Sequence, residues 1–286
     1  IAYRGVQRRR GCAEGLAPDS FRNALLAWPH DPRLTTLAPL MEALAHITTP
    51  EFALAFLISF VAAALHSTVG FGFALISVPL LSLLDPMFAP VPQLFVVWPL
   101  TLAIVWRERH AVEAKSTLWI FAGRLPGAFL GVALLKLLSG AKLDVLMSLM
   151  VLVGVALVVS RGSFRRTSAR EFGAGLASGT MAMVSAIGGP PIALLYRNDE
   201  GPTVRANLGL VFAIGLTITI SVRAAAGEVS SDEVLIGAAL LPAVWLGLHT
   251  SKRLIPHVDG PRLRNAIVLI SGGAAIMLLA RGVLNW

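Results

Sequence analysis

Three places in this chain combine residue types and spacing that can do chemistry. Arg124 lies within "STLWIFAGRLPGAFLGVALL" (116–135), a run with no other charge. A guanidinium in so apolar a setting is costly unless it faces a cavity or a partner, and its planar fork matches an oxyanion through two parallel hydrogen bonds. The competing reading is a structural arginine bonded to helix carbonyls freed around Pro126. His66 opens "HSTVGFG" (66–72). It is a candidate for substrate contact or proton carriage, since imidazole titrates near neutral pH, or else a structural histidine. The third place is "SAIGGPPIALLY" (185–196), with two glycines and two prolines where an apolar helix would least accept them.

The interruptions have a physical use inside a bilayer. Within hydrocarbon, a backbone amide stays unpaired only where it is buried in protein or lines a cavity. A break at Gly188 and Gly189 frees donors, and a helix beginning nearby adds the positive end of its dipole, so an anion can be held without a buried lysine. Pro190 and Pro191 suit the first turn of such a helix. In the first stretch, Gly70 and Gly72 are expected to play the same part beside His66, Ser67 and Thr68, with Ser185 flanking the second. The alternative is that these glycines only permit close helix packing.

Positioning such groups requires a membrane scaffold, and composition supplies one. Hydrophobic residues make up 56% of 286 and charged residues only 14%, which excludes an ordinary soluble domain. The formal charge is +8. The basic residues fall between apolar runs, where topology rather than nucleic acid accounts for them. Cys12 is the only cysteine, so neither a disulfide framework nor a cysteine metal site is expected.

Residues 1–49, rich in Arg, Pro and Asp, read as a loosely ordered tail, with an origin outside the native chain as one option. Beyond them the chain alternates apolar runs with short polar connectors. About ten segments follow, near 51–66, 72–84, 89–106, 115–136, 141–160, 171–185, 189–197, 203–223, 232–252 and 263–281. A spanning helix needs roughly 20 apolar residues. The pairs flanking 66–72 and 185–189 are too long for one crossing, while their members are short, as in broken or re-entrant helices.

The broken pairs occupy corresponding places in two halves, 50–160 and 171–286, joined by a basic linker at 161–170. "RLPGAFLGVALLK" (124–136) lies on "LLPAVWLGLHTSK" (240–252) without a gap, matching Pro126 to Pro242, Gly131 to Gly247 and Lys136 to Lys252. The same register carries Arg107 to Arg223. Five passes per half put the halves in opposite orientation. One face then collects Arg107, Arg109, Lys115, Arg161, Arg165, Arg166, Arg170, Arg197, Arg205, Lys252, Arg253, Arg262 and Arg264, whereas the other has only Lys136, Lys142 and Arg223. The first face is therefore expected to be cytoplasmic. The expected fold class is an all-α integral membrane protein of two inverted-topology repeats, a pattern that places a transport site at the midplane.

At these motifs the chain resembles a known family. "GGPPIALLYRNDEGPTVRANLGLVFA" (188–213) is similar to the second-half signature of the TauE/SafE sulfite exporter family, also called the toluene sulfonate uptake permeases, and "STVGFGFALISVPLL" (67–81) to its first-half counterpart. The resemblance covers about 51–283. It implies a multi-pass transporter of the prokaryotic inner membrane for sulfite, sulfoacetate or other organosulfonates. Phe71 and Phe73 stand where the family often has more glycine, a difference that bears on pocket size. Relatives that import thiosulfate resemble cysteine-dependent carriers, a mechanism not expected of a membrane region without cysteine.

The expected anion contacts are Arg124, His66, Ser67, Thr68, Gly70, Gly72, Ser185, Gly188, Gly189, Pro190, Arg205 and Asn207. Arg205 is either an electrostatic funnel at the cytoplasmic mouth or a marker of the membrane boundary. No metal or cofactor is expected. The expected partners are a small anion and membrane lipid, with a second copy of the chain as one option and no nucleic acid. No Asp or Glu falls near the centre of a predicted span, so His66 is the one candidate proton site. Outward movement of an anion needs no proton, because an inside-negative potential supplies roughly 2.3 kcal/mol per charge at 100 mV. Export is therefore expected, with an anion channel or a proton-coupled importer as alternatives. HExxH, paired aspartates and a serine with its base are all missing from the spans, so an enzyme is not expected.

Overall fold

The computed structural model describes residues 49–113, 117–160, 165–254 and 260–284. Residues 1–48 of the tail, with Cys12, Lys115 and Arg161, lie outside the described residues. Every regular element among the described residues is helical: α1 Pro50–Val69, α2 Phe73–Leu84, α3 Val91–Arg107, α4 Leu118–Leu137, α5 Ala141–Val159, α6 Ser168–Ser185, α7 Gly189–Ala193, α8 Gly201–Ala225, α9 Ser231–Leu254 and α10 Gly260–Leu284. Short 3₁₀ turns at Pro86–Phe88 and Arg109–Ala111 flank α3.

Local signals account for the starts. Thr49 Oγ1 accepts from the Phe52 amide and Pro50 occupies the first turn of α1, while Thr167 Oγ1 accepts from the Arg170 amide at the start of α6; both are side-chain caps of otherwise orphaned donors. Among the described residues, seven helices are long and apolar enough to cross a membrane, and α2 is a shorter apolar one. The shortness expected of the broken pairs falls on their second members. α1 has 20 residues and α6 has 18, whereas α2 has 12 and α7 only 5. Large apolar side chains such as Leu57, Phe129, Val153, Leu246 and Met277 are exposed on the outer faces, the arrangement of a bundle whose surroundings are lipid.

Helix pairing sets the depth of the bundle. α4 packs along α6 and α1 along α9, α5 lies against α10, and α3 contacts both α8 and α9. The α4–α6 crossing is the tightest. A Cβ on Gly123 would lie 2.1 Å from Phe172 O, on Gly127 2.3 Å from Leu176 O, on Gly175 2.1 Å from Ile120 O and on Gly179 2.5 Å from Arg124 O. Glycines spaced four apart on both helices thus bring the two backbones into contact, as small residues do in membranes. Arg124 sits between Gly123 and Gly127, so this crossing presses its helix turn against Ser178.

Candidate functional site

Both interruptions form where the sequence places them, by different means. At the first, Gly70 and Gly72 adopt φ of 97° and 107°, left-handed conformations open to glycine at little cost. At the second, the left-handed residue is Ala186, with φ 58°, where a Cβ costs roughly 1–2 kcal/mol. Two arginines hold the helix ends that precede the breaks. Arg107 Nη2 donates to Ser67 O at 2.7 Å, near the end of α1. Arg223 Nε donates to Met183 O at 3.0 Å and its Nη2 to Met183 O and Val184 O, near the end of α6. Cations on C-terminal carbonyls satisfy orphaned acceptors and oppose the negative end of the helix dipole.

Between the breaks lies a chamber of about 40 Å³ that includes His66, Gly72, Arg124, Gly188, Gly189 and Pro190 in its wall. That is room for a few water molecules or one small anion. Arg124 is 2% exposed. Its Nη1 donates to Ser178 Oγ at 2.8 Å, and Ser178 Oγ donates to Gly188 O at 2.6 Å. Gly215 on α8 makes the space for the guanidinium, since a Cβ there would stand 2.2 Å from Arg124 Cζ. The arginine is therefore tied to the second break through one serine and wedged against α8 through one glycine.

His66 Nδ1 accepts the Phe73 amide at 3.4 Å, so the imidazole itself uses the first donor of α2. Nδ1 carries no proton in this arrangement, and Nε2 is buried without a partner. The next amides of α2, on Ala74 and Leu75, belong to the first turn and have no acceptor within the helix. The second break offers less, because Pro190 and Pro191 lack the N–H that an anion would need and only Gly188 and Gly189 retain theirs. Phe73 and Phe212 close over His66, with ring centroids 6.3 and 6.1 Å away.

Six of the expected contacts lie elsewhere. Ser67 meets Arg107 through its carbonyl, and Thr68 Oγ1 bonds Ala64 O. Gly70 packs on the backbone of Arg205. Ser185 Oγ bonds Met181 O. Arg205 Nε pairs with Glu108 at 2.8 Å, and Glu108 also meets Arg107 at 3.1 Å. Asn207 Oδ1 accepts the Glu113 amide. None of the six is in the chamber wall. Sequence reasoning missed Ser178, Gly215 and the two arginine anchors. The spacing of Gly175 and Gly179 was the available signal for the first, and the register that lays Arg107 on Arg223 for the last.

The family model described as Sulfite exporter TauE/SafE matches residues 55–278, from α1 into α10. No curated protein and no solved structure matches the chain. The matched segment contains both breaks, both arginine anchors and Arg124, and on that span the chain belongs to the TauE/SafE sulfite exporter family, as a transmembrane transporter.

Proposed function

We propose that this chain exports a small sulfur oxyanion, sulfite or a short sulfonate, across the prokaryotic inner membrane, holding it in the chamber between the breaks. The observation that carries this reading is the placement of a buried arginine in one small chamber with the first turn of α2 and the glycines of the second break. The guanidinium supplies charge and two parallel donors. The α2 amides add an uncharged share of the positive potential.

The two halves act as inverted repeats around the chamber. In the register that lays Arg107 on Arg223, Ser67 falls on Met183, the carbonyls that these arginines bond. Gly70 falls on Ala186, and both are left-handed. Gly131 meets Thr180 and Gly247 meets Ala64, again the same pairing. Rocking of one half against the other would expose the chamber alternately to each side.

The membrane potential is the driving force. Each acidic side chain among the described residues sits in a first turn, at a helix end or in a connector, and His66 spends Nδ1 on the Phe73 amide. For a divalent anion, 100 mV contributes about 4.6 kcal/mol outward. Purified protein in proteoliposomes loaded with sulfite tests this. Efflux should saturate with concentration and accelerate under a valinomycin-set, inside-negative potential. Linear, non-saturating flux would make the protein a channel, and flux that ignored the potential but required a pH gradient would reverse the coupling argument.

A further inference from the structure

A second, larger cavity lies beside the chamber. It encloses about 380 Å³, against about 40 Å³ for the chamber, and its wall includes Leu157, Leu194, Tyr196, Arg197 and Ile267. Arg197, bonded to the carbonyl of Ser160 at the end of α5, marks the side on which it lies. Phe71 and Pro190 belong to the walls of both cavities. Pro190 is buried and fixed in α7, whereas Phe71 is carried on the linker between α1 and α2.

The backbone on either side of Phe71 is unusual. Gly70 and Gly72 both have positive φ, so the phenyl ring hangs from a two-residue pivot rather than from a helix. A Cβ added to Gly189 would lie 3.4 Å from Phe71 Cβ, which puts the side chain directly across the gap from the second break. The size difference between the cavities then has a chemical meaning. An apolar cavity of about 150 Å³ accepts a benzene ring; the larger cavity exceeds that and the chamber falls far short of it. An aryl sulfonate can occupy the larger cavity and reach Arg124 only if Phe71 moves.

We propose that Phe71 is the specificity-determining gate between the larger cavity and Arg124, passing anions as small as sulfite and holding back sulfonates with an aromatic tail. The proposal rests on the anion reading above, and two measurements separate their fates. In the full chain with Cys12→Ser, an introduced Ala74→Cys places a thiol in the chamber wall. Its labelling rate by a negatively charged methanethiosulfonate reports access without any transport. Phe71→Ala should speed labelling at least tenfold, Phe71→Leu, a milder variant that keeps the packing, should give a smaller rise, and Phe71→Trp should slow it. In proteoliposomes, the ratio of benzenesulfonate to sulfite flux should rise at least tenfold in Phe71→Ala. Unchanged labelling in the Ala and Leu variants overturns the gate whatever the fluxes do, and an unchanged flux ratio overturns the filter. Faster labelling in a protein that moves neither anion keeps the gate and removes the anion reading.

Discussion

Arg124 and Ser178 meet at 2.8 Å across the α4–α6 crossing, and the serine passes the contact on to Gly188 O at 2.6 Å. One hydroxyl thus aligns the charged side chain of the chamber wall with the second break. Ser178→Ala leaves a buried donor and a buried acceptor unpaired, which costs about 1–3 kcal/mol. We expect a lower melting temperature in detergent and weaker sulfite binding, with the loss of affinity smaller than for removal of Arg124 itself. Unaltered binding would show that the guanidinium needs no such tether.

Gly215 and Gly127 should respond oppositely to the same small addition. A methyl on Gly215 meets the end of the Arg124 side chain, which can swing away; on Gly127 it meets the backbone of Leu176, which cannot. Gly215→Ala is expected to fold and to lose sulfite binding at least tenfold. Gly127→Ala should destabilise the protein by about 3 kcal/mol or more through overpacking of a backbone contact. Thermal unfolding with and without sulfite distinguishes the two, and equal loss of stability in both would contradict the geometry.

The arginine anchors are unequal in their surroundings. Arg223 is 3% exposed, while the Arg107 side chain is 21% exposed and shares Glu108 with Arg205. Arg223→Ala strips two carbonyls of donors where no water replaces them, so a loss of about 2–4 kcal/mol is expected. Arg107→Ala should cost less, because solvent partly substitutes. Denaturation midpoints of the two variants compare them directly, and a larger loss at Arg107 would count against the account.

His66 should matter for structure and not for coupling. His66→Ala releases the Phe73 amide and should lower stability by about 1–3 kcal/mol, yet potential-driven efflux of a short sulfonate, whose single charge does not change between pH 6 and 8, should persist and vary little over that range. A flux that depended on an imposed pH gradient, and lost that dependence in His66→Ala, would assign the histidine a proton-carrying role.

Most of the scaffold was legible because length and hydropathy are local properties. The ten expected segments correspond to α1–α10, and Arg124 stood out as a lone charge in an apolar run. The details that escaped are set by contacts between segments. The helix break was expected at Gly188 and Gly189, but the left-handed residue is Ala186, a conformation that propensity argues against and that accompanies the grip of Arg223 on the preceding turn. Ser178 is an ordinary serine in "GLASGT" until the α4–α6 crossing sets it against Arg124. Ser67, Thr68 and Ser185 were read as site residues from proximity along the chain, whereas the helical turn carries Thr68 and Ser185 back to the carbonyls four residues earlier. Proximity in sequence to a break is thus a weak guide to which side chains face the cavity it opens.

In the proposed transport cycle one sulfur oxyanion binds at Arg124 between the breaks. Sulfite titrated into purified wild type and Arg124→Ala, with thermal unfolding as the readout, tests it most directly. A ligand at a hundredfold excess over its Kd stabilises the folded state by about 2.7 kcal/mol, so wild type should melt several degrees higher. Arg124→Ala should show no rise, and Arg124→Lys, which keeps the charge but not the fork, should show a partial one. An equal sulfite-induced rise in wild type and Arg124→Ala would contradict the account.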